Sequence, residues 1–240
     1  MGIWAEELND KKNVMAKYTR IQVVQQMQAT GIIPVFYHEE LEVCKKSLAA
    51  TYEAGARVFE FTNRGDFAHE IFGELIKYAQ RELPGMILGI GSVLDPATAS
   101  LYLQLGANFI VSPILNPEIA KVCNRRKAAW IPGCGTVSEI SLAEELGAEV
   151  VKIFPGKQVG GPDFVKAVKG PMPWSSIMPT GGVDPGEENL KLWFEAGVFC
   201  VGMGSKIFLK KENGAPDYEK TTEKLRAALE FVKQWIKEAT

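Results

Sequence analysis

The stretch LGAEVVK at residues 146–152 decides the predicted fold, because the same pattern occurs four times along the chain. Each copy has a glycine followed by a short apolar run, and the other copies are AGARVFE at 54–60, LGANFI at 105–110 and AGVFCV at 196–201. A glycine in this place is typical of a helix that ends in the left-handed conformation, and the apolar run predicts a buried strand. We therefore expect the chain to pass repeatedly from a helix into a strand of a parallel sheet.

Four further strands are predicted between and before these copies, at 32–37, 86–91, 129–133 and 176–181. The strands alternate with helical stretches, and eight alternating units predict a (β/α)8 TIM barrel. A doubly wound open sheet is the alternative. It is weakened because no G-x-G-x-x-G pattern opens a helix after an early strand, and Gly89-Ile90-Gly91 is too short to count.

Both ends of the chain predict additional helices. Thr19 and Gln22 form a capping-box pattern that opens an N-terminal helix, which ends at Gly31 and is expected to plug the barrel floor. The last 25 residues have apolar side chains at helical spacing and predict a closing C-terminal helix. These side chains are Tyr218, Leu225, Leu229, Val232 and Ile236. We assign residues 1–240 to a single barrel domain.

The composition is that of an ordinary globular protein. The chain has 240 residues, 27 basic and 29 acidic side chains, a net charge of −2 and 46% hydrophobic residues. This composition excludes intrinsic disorder and argues against a nucleic-acid partner. The sequence has no run of 18 apolar residues, so no membrane span is predicted. A secretory leader is not expected either, since residues 6–12 include Glu6, Glu7, Asp10, Lys11 and Lys12. We therefore predict a cytoplasmic protein without membrane contact.

The cysteines and histidines do not have the spacing of a zinc site. No C-x-x-C occurs, and the two histidines are isolated, so we predict no metal. Scattered thiols in a chain of this kind are expected to be reduced and mostly buried. The four are Cys44, Cys123, Cys134 and Cys200.

Lys152 is the most informative residue, because it is the only lysine inside a predicted strand. Alternation of side chains along a strand places it on one face with Val150 and Phe154. A buried ammonium is costly unless it is paired or loses its proton, and a neutral amine is a nucleophile. The residue alone leaves two interpretations open, which are an interior ion pair and a nucleophilic amine.

Glu60 favours the second interpretation, because it is the one acid well inside a predicted strand. It shares a face with Val58 and Thr62, so two opposite charges project from different strands of one barrel. A lysine that attacks a carbonyl needs a neighbouring group that moves protons, and a carboxylate can do this. Arg64 follows at the carboxyl end of the same strand, where barrel active sites lie, and a surface loop arginine is its alternative reading.

Glycine pairs end the last three predicted strands and indicate an anion site. Exposed N–H groups at a helix start bind anions, and barrels often bind phosphate after strands seven and eight. Ordinary turns are the alternative for any one pair. Lys157 and Lys206 lie near these glycines, although each is more simply a solvated surface lysine. The pairs are Gly160-Gly161, Gly181-Gly182 and the segment Gly202-Met203-Gly204-Ser205.

Seven strings, in order between about residues 20 and 208, resemble the 2-keto-3-deoxy-6-phosphogluconate (KDPG) / 4-hydroxy-2-oxoglutarate (KHG) aldolase family. They are EFTNR at 60–64, GIGSVL at 89–94, VSP at 111–113, IPG at 131–133 followed by Thr136, KIFP at 152–155, PTGG at 179–182 and Gly204-Ser205. Three departures lie near the expected mouth: NRG at 63–65, Ser92 where threonine is common, and FYH at 36–38.

The resemblance implies a class I aldolase that needs no cofactor and assembles as a homotrimer. Carried over, Lys152 forms the Schiff base with the 2-keto group and Glu60 is the general acid and base. The residues implied to contact the keto acid are Arg64, Ser92, Pro113 and Thr180. The residues implied to bind phosphate are Gly160, Gly161, Gly181, Gly182 and Ser205.

Our hypothesis is reversible cleavage of KDPG, or of a related 2-keto-3-deoxy-6-phospho sugar acid, to pyruvate and glyceraldehyde 3-phosphate. Cleavage of KHG to pyruvate and glyoxylate can accompany it. One alternative is a phosphate-binding barrel isomerase or epimerase, in which Glu60 moves protons and Lys152 acts only through its charge. The other is a non-catalytic sugar-phosphate-binding protein.

Overall fold

The computed structural model describes residues 17–239, which form nine helices and nine strands in alternation. In chain order these elements are α1 Arg20–Thr30, β1 Ile32–Phe36, α2 Leu41–Glu53, β2 Val58–Thr62, α3 Ala68–Glu82, β3 Ile87–Gly91, α4 Pro96–Gln104, β4 Phe109–Val111, α5 Pro117–Arg126, β5 Ala129–Ile131, β6 Gly133–Cys134, α6 Val137–Glu145, β7 Val151–Ile153, α7 Gly161–Lys169, β8 Ile177–Pro179, α8 Glu187–Glu195, β9 Val201–Met203 and α9 Tyr218–Ala239.

The strands form a closed parallel barrel. Hydrogen bonds join them in the orders β5-β4-β3-β2-β1-β9 and β6-β7-β8. Strands β5 and β6 are two parts of the predicted fifth strand, separated by Pro132, which has no N–H to donate. The Phe199 N–H donates to the Ile177 carbonyl at 2.8 Å and links β8 to β9. The predicted eight-stranded (β/α)8 barrel is therefore confirmed, with its fifth strand in two pieces.

The four glycines of the repeated pattern have the predicted conformation. Gly55, Gly106, Gly147 and Gly197 have φ values of 109°, 100°, 90° and 90°. Such angles are easily accessible only to glycine. Each glycine follows a helix by one or two residues and precedes the strand or turn that leads back to the barrel. This explains why one local pattern predicts so many element boundaries.

Helix α1 closes the floor of the barrel, as predicted. Thr19 caps it through the expected capping box with Gln22, and Gly31 ends it at φ 71°. Val23 and Met27 are fully buried in the apolar cluster that fills the barrel interior. The predicted closing helix is also present as α9, which packs on the outer layer through Leu225, Leu229 and Val232.

The barrel has an interior and an outer apolar layer, and the alternation of side chains assigns residues to one or the other. In β2, Val58 belongs to the interior cluster, whereas Phe59 and Phe61 belong to the layer between strands and helices. Around β7, Val150 faces the interior and Val151 and Ile153 face outward. The positions of Glu60 and Lys152 follow from this alternation, because each lies two residues from an interior side chain.

Two further predictions concern burial and membrane contact. All four cysteines are free and buried, as expected. Across residues 17–239, no helix is both long and apolar enough to cross a bilayer. The charged segment that argues against a secretory leader falls at 6–12, outside the described residues.

Candidate active site

The structure brings the two charged strand residues together inside the barrel. Lys152 Nζ lies 3.9 Å from Glu60 Oε1. Lys152 is 5% exposed and Glu60 is 1% exposed. This separation is longer than a hydrogen bond, so the ammonium and the carboxylate interact through their charges and not through a direct hydrogen bond. The pair is therefore buried, oppositely charged and not joined by a direct hydrogen bond.

Two glycines on β3 make room for interior side chains, Gly91 for Glu60 and Gly89 for Phe109. Gly89 and Gly91 are paired in register with Glu60 and Thr62 on β2. A Cβ at Gly91 would overlap Glu60 Oε1, and a Cβ at Gly89 would overlap the ring of Phe109. A glycine inside a strand often marks a close approach of another group, and this signal in the sequence could have identified Gly91 as part of the site.

The electrostatic environment of Glu60 favours proton exchange. Burial raises the pKa of the Glu60 carboxyl, and the positive charges of Lys152 and Arg64 oppose this rise. The carboxylate oxygen Oε2 is buried and has no hydrogen-bond partner among residues 17–239. A raised pKa makes the ionised carboxyl a stronger base, which suits a group that accepts a proton and later returns it. Glu60 therefore has the properties of a general acid and base.

A cleft of about 780 Å³ opens above the pair, at the carboxyl ends of the strands. Thr62 and Phe154 form part of its wall, and each is the next interior position after Glu60 and Lys152, respectively. The Phe154 ring centre is 5.2 Å from Lys152 Nζ. Substrate entering the cleft would therefore meet the buried pair below these two side chains. This is the end of the barrel at which such folds carry their active sites.

The wall of the cleft is predominantly cationic. Apart from His38, its charged side chains are four cations and one carboxylate. The carboxylate is that of Asp184, and its Oδ2 lies 4.0 Å from Lys206 Nζ. The other cations are Arg64, Lys157 and Lys210. A cleft lined by one sign of charge attracts ligands of the opposite sign. The chain as a whole has a net charge of −2, so this local excess of positive charge favours an anionic ligand.

Three residues predicted to contact the keto acid lie on successive loops beside the pair. Arg64 lines the cleft, and its Nε lies 3.5 Å from Ser92 Oγ. Ser92 is outside the cleft wall and has a positive φ of 61°. The carbonyl of Pro113 packs against Gly133, which is paired in register with Lys152. The structure thus brings Arg64 beside Ser92, and Pro113 beside the strand that neighbours Lys152, and only Arg64 of the three lines the cleft.

The glycine pair after β8 and the turn after β9 face the same end of the cleft. Thr180, Gly181, Gly182 and Ser205 all belong to its wall. Thr180 Oγ1 is buried, leans over Gly202 and has no hydrogen-bond partner within residues 17–239. A hydroxyl and two glycine turns in a cationic cleft provide the donors that an anion needs.

The glycine pair before α7 has a different place. Gly160 and Gly161 are not on the wall of the cleft. Their N–H groups donate within the turn, from Gly160 to the Lys157 carbonyl at 3.3 Å and from Gly161 to the Gly156 carbonyl at 3.0 Å. These two N–H groups therefore donate within the turn, and the role of Gly160 and Gly161 in phosphate binding stays a prediction.

Several residues of the cleft were not identified from the sequence. Thr62, Phe154 and Lys210 form part of its wall, and Lys157 was read as a surface lysine. The alternation that predicts interior positions for Glu60 and Lys152 also predicts interior positions for Thr62 and Phe154. Lys210 lies on the loop after β9, for which the sequence has no comparable signal.

Comparisons with known proteins agree with this geometry. A family model described as "Aldolase: KDPG and KHG aldolase" matches residues 23–224. The KHG/KDPG aldolase of Escherichia coli (strain K12) is 32% identical over 202 residues, which cover 84% of this chain and 92% of the relative.

Solved structures are similar over the same region. The KDPG aldolase of Zymomonas mobilis superposes with a TM-score of 0.76 at 28% identity, over 86% of this chain and 96% of that one. The KDPG aldolase of Legionella pneumophila, with pyruvate captured as a covalent carbinolamine intermediate, has a TM-score of 0.71 at 27% identity, over 89% of this chain and 97% of that one. The protein described here therefore belongs to the KDPG and KHG aldolase family.

Proposed function

We propose that this aldolase cleaves KDPG to pyruvate and glyceraldehyde 3-phosphate through a Schiff base on Lys152, and that it also cleaves KHG to pyruvate and glyoxylate. The observation that carries the proposal is the buried lysine whose Nζ lies 3.9 Å from a buried carboxylate, below a cationic cleft. The Legionella pneumophila relative, which holds pyruvate as a carbinolamine, supports a covalent amine adduct of this kind.

Lys152 would supply the electron sink for the reaction. Its neutral amine attacks C2 of the keto acid and forms an N–C bond, and the former carbonyl oxygen leaves as water to give a protonated imine. The C3–C4 bond then breaks, and its electron pair moves into the imine to form an enamine at C2 and C3. The enamine takes a proton at C3, and water hydrolyses the resulting imine to pyruvate and free Lys152.

Glu60 would move the protons of these steps. Its carboxylate accepts the C4 hydroxyl proton as the C3–C4 bond breaks, so that C4 leaves as an aldehyde, and the same group then helps to protonate the enamine. The raised pKa and the orphaned Oε2 suit this exchange, because burial makes the carboxylate a stronger base and leaves one oxygen without a hydrogen-bond partner among the described residues. Its closeness to Lys152 lets one carboxyl serve both the imine-forming and the bond-breaking steps.

The two ends of the substrate would be held by different parts of the mouth. We assign the keto-acid carboxylate to the region of Arg64, Ser92 and Pro113, with Thr180 contacting the substrate from the opposite wall. We assign the phosphate to the turns at Gly181, Gly182 and Ser205. This orientation places C2 toward Lys152 and the phosphate toward the strands β8 and β9, where barrel enzymes often bind phosphate.

Coupling the reaction to lactate dehydrogenase tests the function, since pyruvate release then consumes NADH. We expect turnover with KDPG in the presence of EDTA, because the proposed chemistry uses only protein side chains. Absence of pyruvate release with intact binding would favour the non-catalytic sugar-phosphate binder. Conversion of a sugar phosphate without carbon–carbon cleavage would favour the isomerase or epimerase.

We also propose that the protein is a homotrimer. Exposed apolar side chains follow successive strands of the barrel, three on loops and one at the start of α6, and burial of such a patch between subunits is favourable. They are Phe67, Leu94, Ile114 and Val137. A single domain over residues 1–240 and a cytoplasmic location are further proposals that rest on the sequence.

A further inference from the structure

Lys157 is attached by its backbone to the glycine turn that ends β8. Its N–H donates to the Gly181 carbonyl at 3.0 Å, and the N–H of Gly156 donates to the Thr180 carbonyl at 2.9 Å. These two hydrogen bonds hold the loop after β7 against the loop after β8. The position at which the Lys157 side chain leaves the backbone is therefore set by the turn itself.

The Lys157 side chain also packs directly on this turn. A Cβ added at Gly182 would overlap the Cβ of Lys157 and lie 3.3 Å from its Cγ. Gly182 has a φ of 80°, so glycine is favoured there by the backbone as well as by the close approach. Lys157 is exposed and lies on the wall of the cleft. Its side chain therefore leaves the backbone at the edge of the glycine turn, on the wall of the cleft, and is open to solvent.

The charge of Lys157 has no carboxylate partner within the described part of the chain. Within residues 17–239, no carboxylate oxygen lies within 4.0 Å of Lys157 Nζ, whereas Lys206 Nζ is paired with Asp184. An exposed ammonium with no carboxylate partner keeps its full attraction for a ligand anion. Of the lysines near the glycine turn, Lys157 is thus the one whose placement and free charge both point to ligand recognition.

We propose that Lys157 is a specificity-determining residue that selects phosphorylated keto acids over their unphosphorylated analogues. The inference rests on the proposed aldolase function and adds to it a side chain outside the glycine and serine turns. A phosphate dianion bound at Gly181 and Gly182 would lie beside this ammonium, and the neutral end of an unphosphorylated acid gains nothing from it. Lys157 contributes to substrate binding and makes no contact with the reacting carbons.

The Lys157→Met variant tests this role, with KDPG and 2-keto-3-deoxygluconate as the paired substrates. We expect KM for KDPG to rise about tenfold with kcat within about twofold of the wild type, since uniform binding is lost. The kcat/KM for 2-keto-3-deoxygluconate should change less than about twofold. Inorganic phosphate should also inhibit the variant more weakly than the wild type.

Two further variants serve as controls. Lys166→Met removes the same charge from the exposed face of α7, away from the cleft, and should leave both substrates unaffected. Lys157→Arg keeps the charge and should restore most of the preference for KDPG. A gradual loss of the wild-type preference with rising ionic strength, absent in Lys157→Met, would support the same conclusion.

Equal effects of Lys157→Met on both substrates, or no effect on either, would overturn the proposal. The same loss in Lys166→Met would also overturn it, because a general charge effect would then explain the result. Failure of the aldolase function is recognised separately. In that case the wild type itself releases no pyruvate, whereas failure of the Lys157 proposal leaves wild-type cleavage intact.

Discussion

Replacement of Gly91 by alanine should impair proton transfer by Glu60 while leaving Lys152 able to form an imine. Gly91 lies on β3 beside the Glu60 side chain. The added Cβ would overlap Glu60 Oε1 and would lie 2.7 Å from Cδ and 3.0 Å from Cγ. Carbon atoms in good contact are about 3.5–4.0 Å apart, so the carboxyl must move by roughly 1 Å.

The size of the effect follows from this displacement. A shift of about 1 Å in a catalytic group can lower the rate about 100-fold, which corresponds to about 2.7 kcal/mol of transition-state stabilisation. Overpacking of a buried position also destabilises the fold by about 1–3 kcal/mol. The activity loss must therefore be separated from the loss of stability.

Gly89→Ala is the matched control for this separation. It adds the same methyl group to the same face of β3, but the clash is with Phe109 instead of Glu60. Urea unfolding should show a similar loss of stability in the two variants, about 1–3 kcal/mol. The kcat for KDPG, measured through lactate dehydrogenase, should fall about 100-fold only in Gly91→Ala.

A double variant identifies the group through which Gly91 acts. If the methyl group works through Glu60, then adding Gly91→Ala to Glu60→Gln should lower kcat by less than about threefold. Near-normal kcat in Gly91→Ala, an equal loss in Gly89→Ala, or full additivity in the double variant would each refute this reasoning.

Three further predictions address the charge, the mouth and the assembly. Burial raises the pKa of Glu60 in the folded protein. As pH rises above 4.5, the Glu60 carboxyl therefore ionises in the unfolded chain before it ionises in the folded protein, and the free energy of unfolding falls until the pKa of the folded protein is passed. Glu60→Gln should therefore gain stability relative to the wild type as pH rises above 4.5 in urea titrations, and a relative loss would contradict the raised pKa. Tyr102→Phe removes the 2.8 Å hydrogen bond that the buried tyrosine donates to Asn63 Oδ1, next to Arg64. The variant should lose about 1 kcal/mol of stability and should have a higher KM for KDPG with kcat nearly unchanged. An unchanged KM would show that this hydrogen bond does not position Arg64. Phe67→Asp places a charge in the exposed apolar patch and should dissociate the proposed homotrimer in light-scattering measurements, and a trimer that persists would exclude this patch as the interface.

Much of the fold was predictable because its signals are local. A glycine with positive φ after a helix, such as Gly55 or Gly147, depends only on the neighbouring backbone, and the apolar run that follows identifies the strand. The alternation of side chains then placed Glu60 and Lys152 in the interior. The strand pattern and the geometry of a closed barrel together therefore predict that these two oppositely charged residues, which lie on different strands, share one site.

Other features depend on contacts between distant parts of the chain. The break of the fifth strand at Pro132 depends on how β5 and β6 pair with different neighbours. The free or occupied state of an N–H group depends on the detailed shape of its turn, which the residue types do not determine. Gly161 donates to the Gly156 carbonyl, and this hydrogen bond could not be read from a pair of glycines before a helix. The close approach of Glu60 to Gly91 also joins two strands, and the glycine inside β3 signals such an approach without identifying its partner.

The most direct test of the account is reduction with borohydride in the presence of pyruvate, followed by peptide mapping by mass spectrometry. The account predicts that the reduced pyruvyl group is found on Lys152, that activity is lost in proportion, and that Lys152→Ala is folded but neither modified nor active. An enzyme that keeps its activity and carries no adduct, or an adduct on a different lysine, would contradict the central claim.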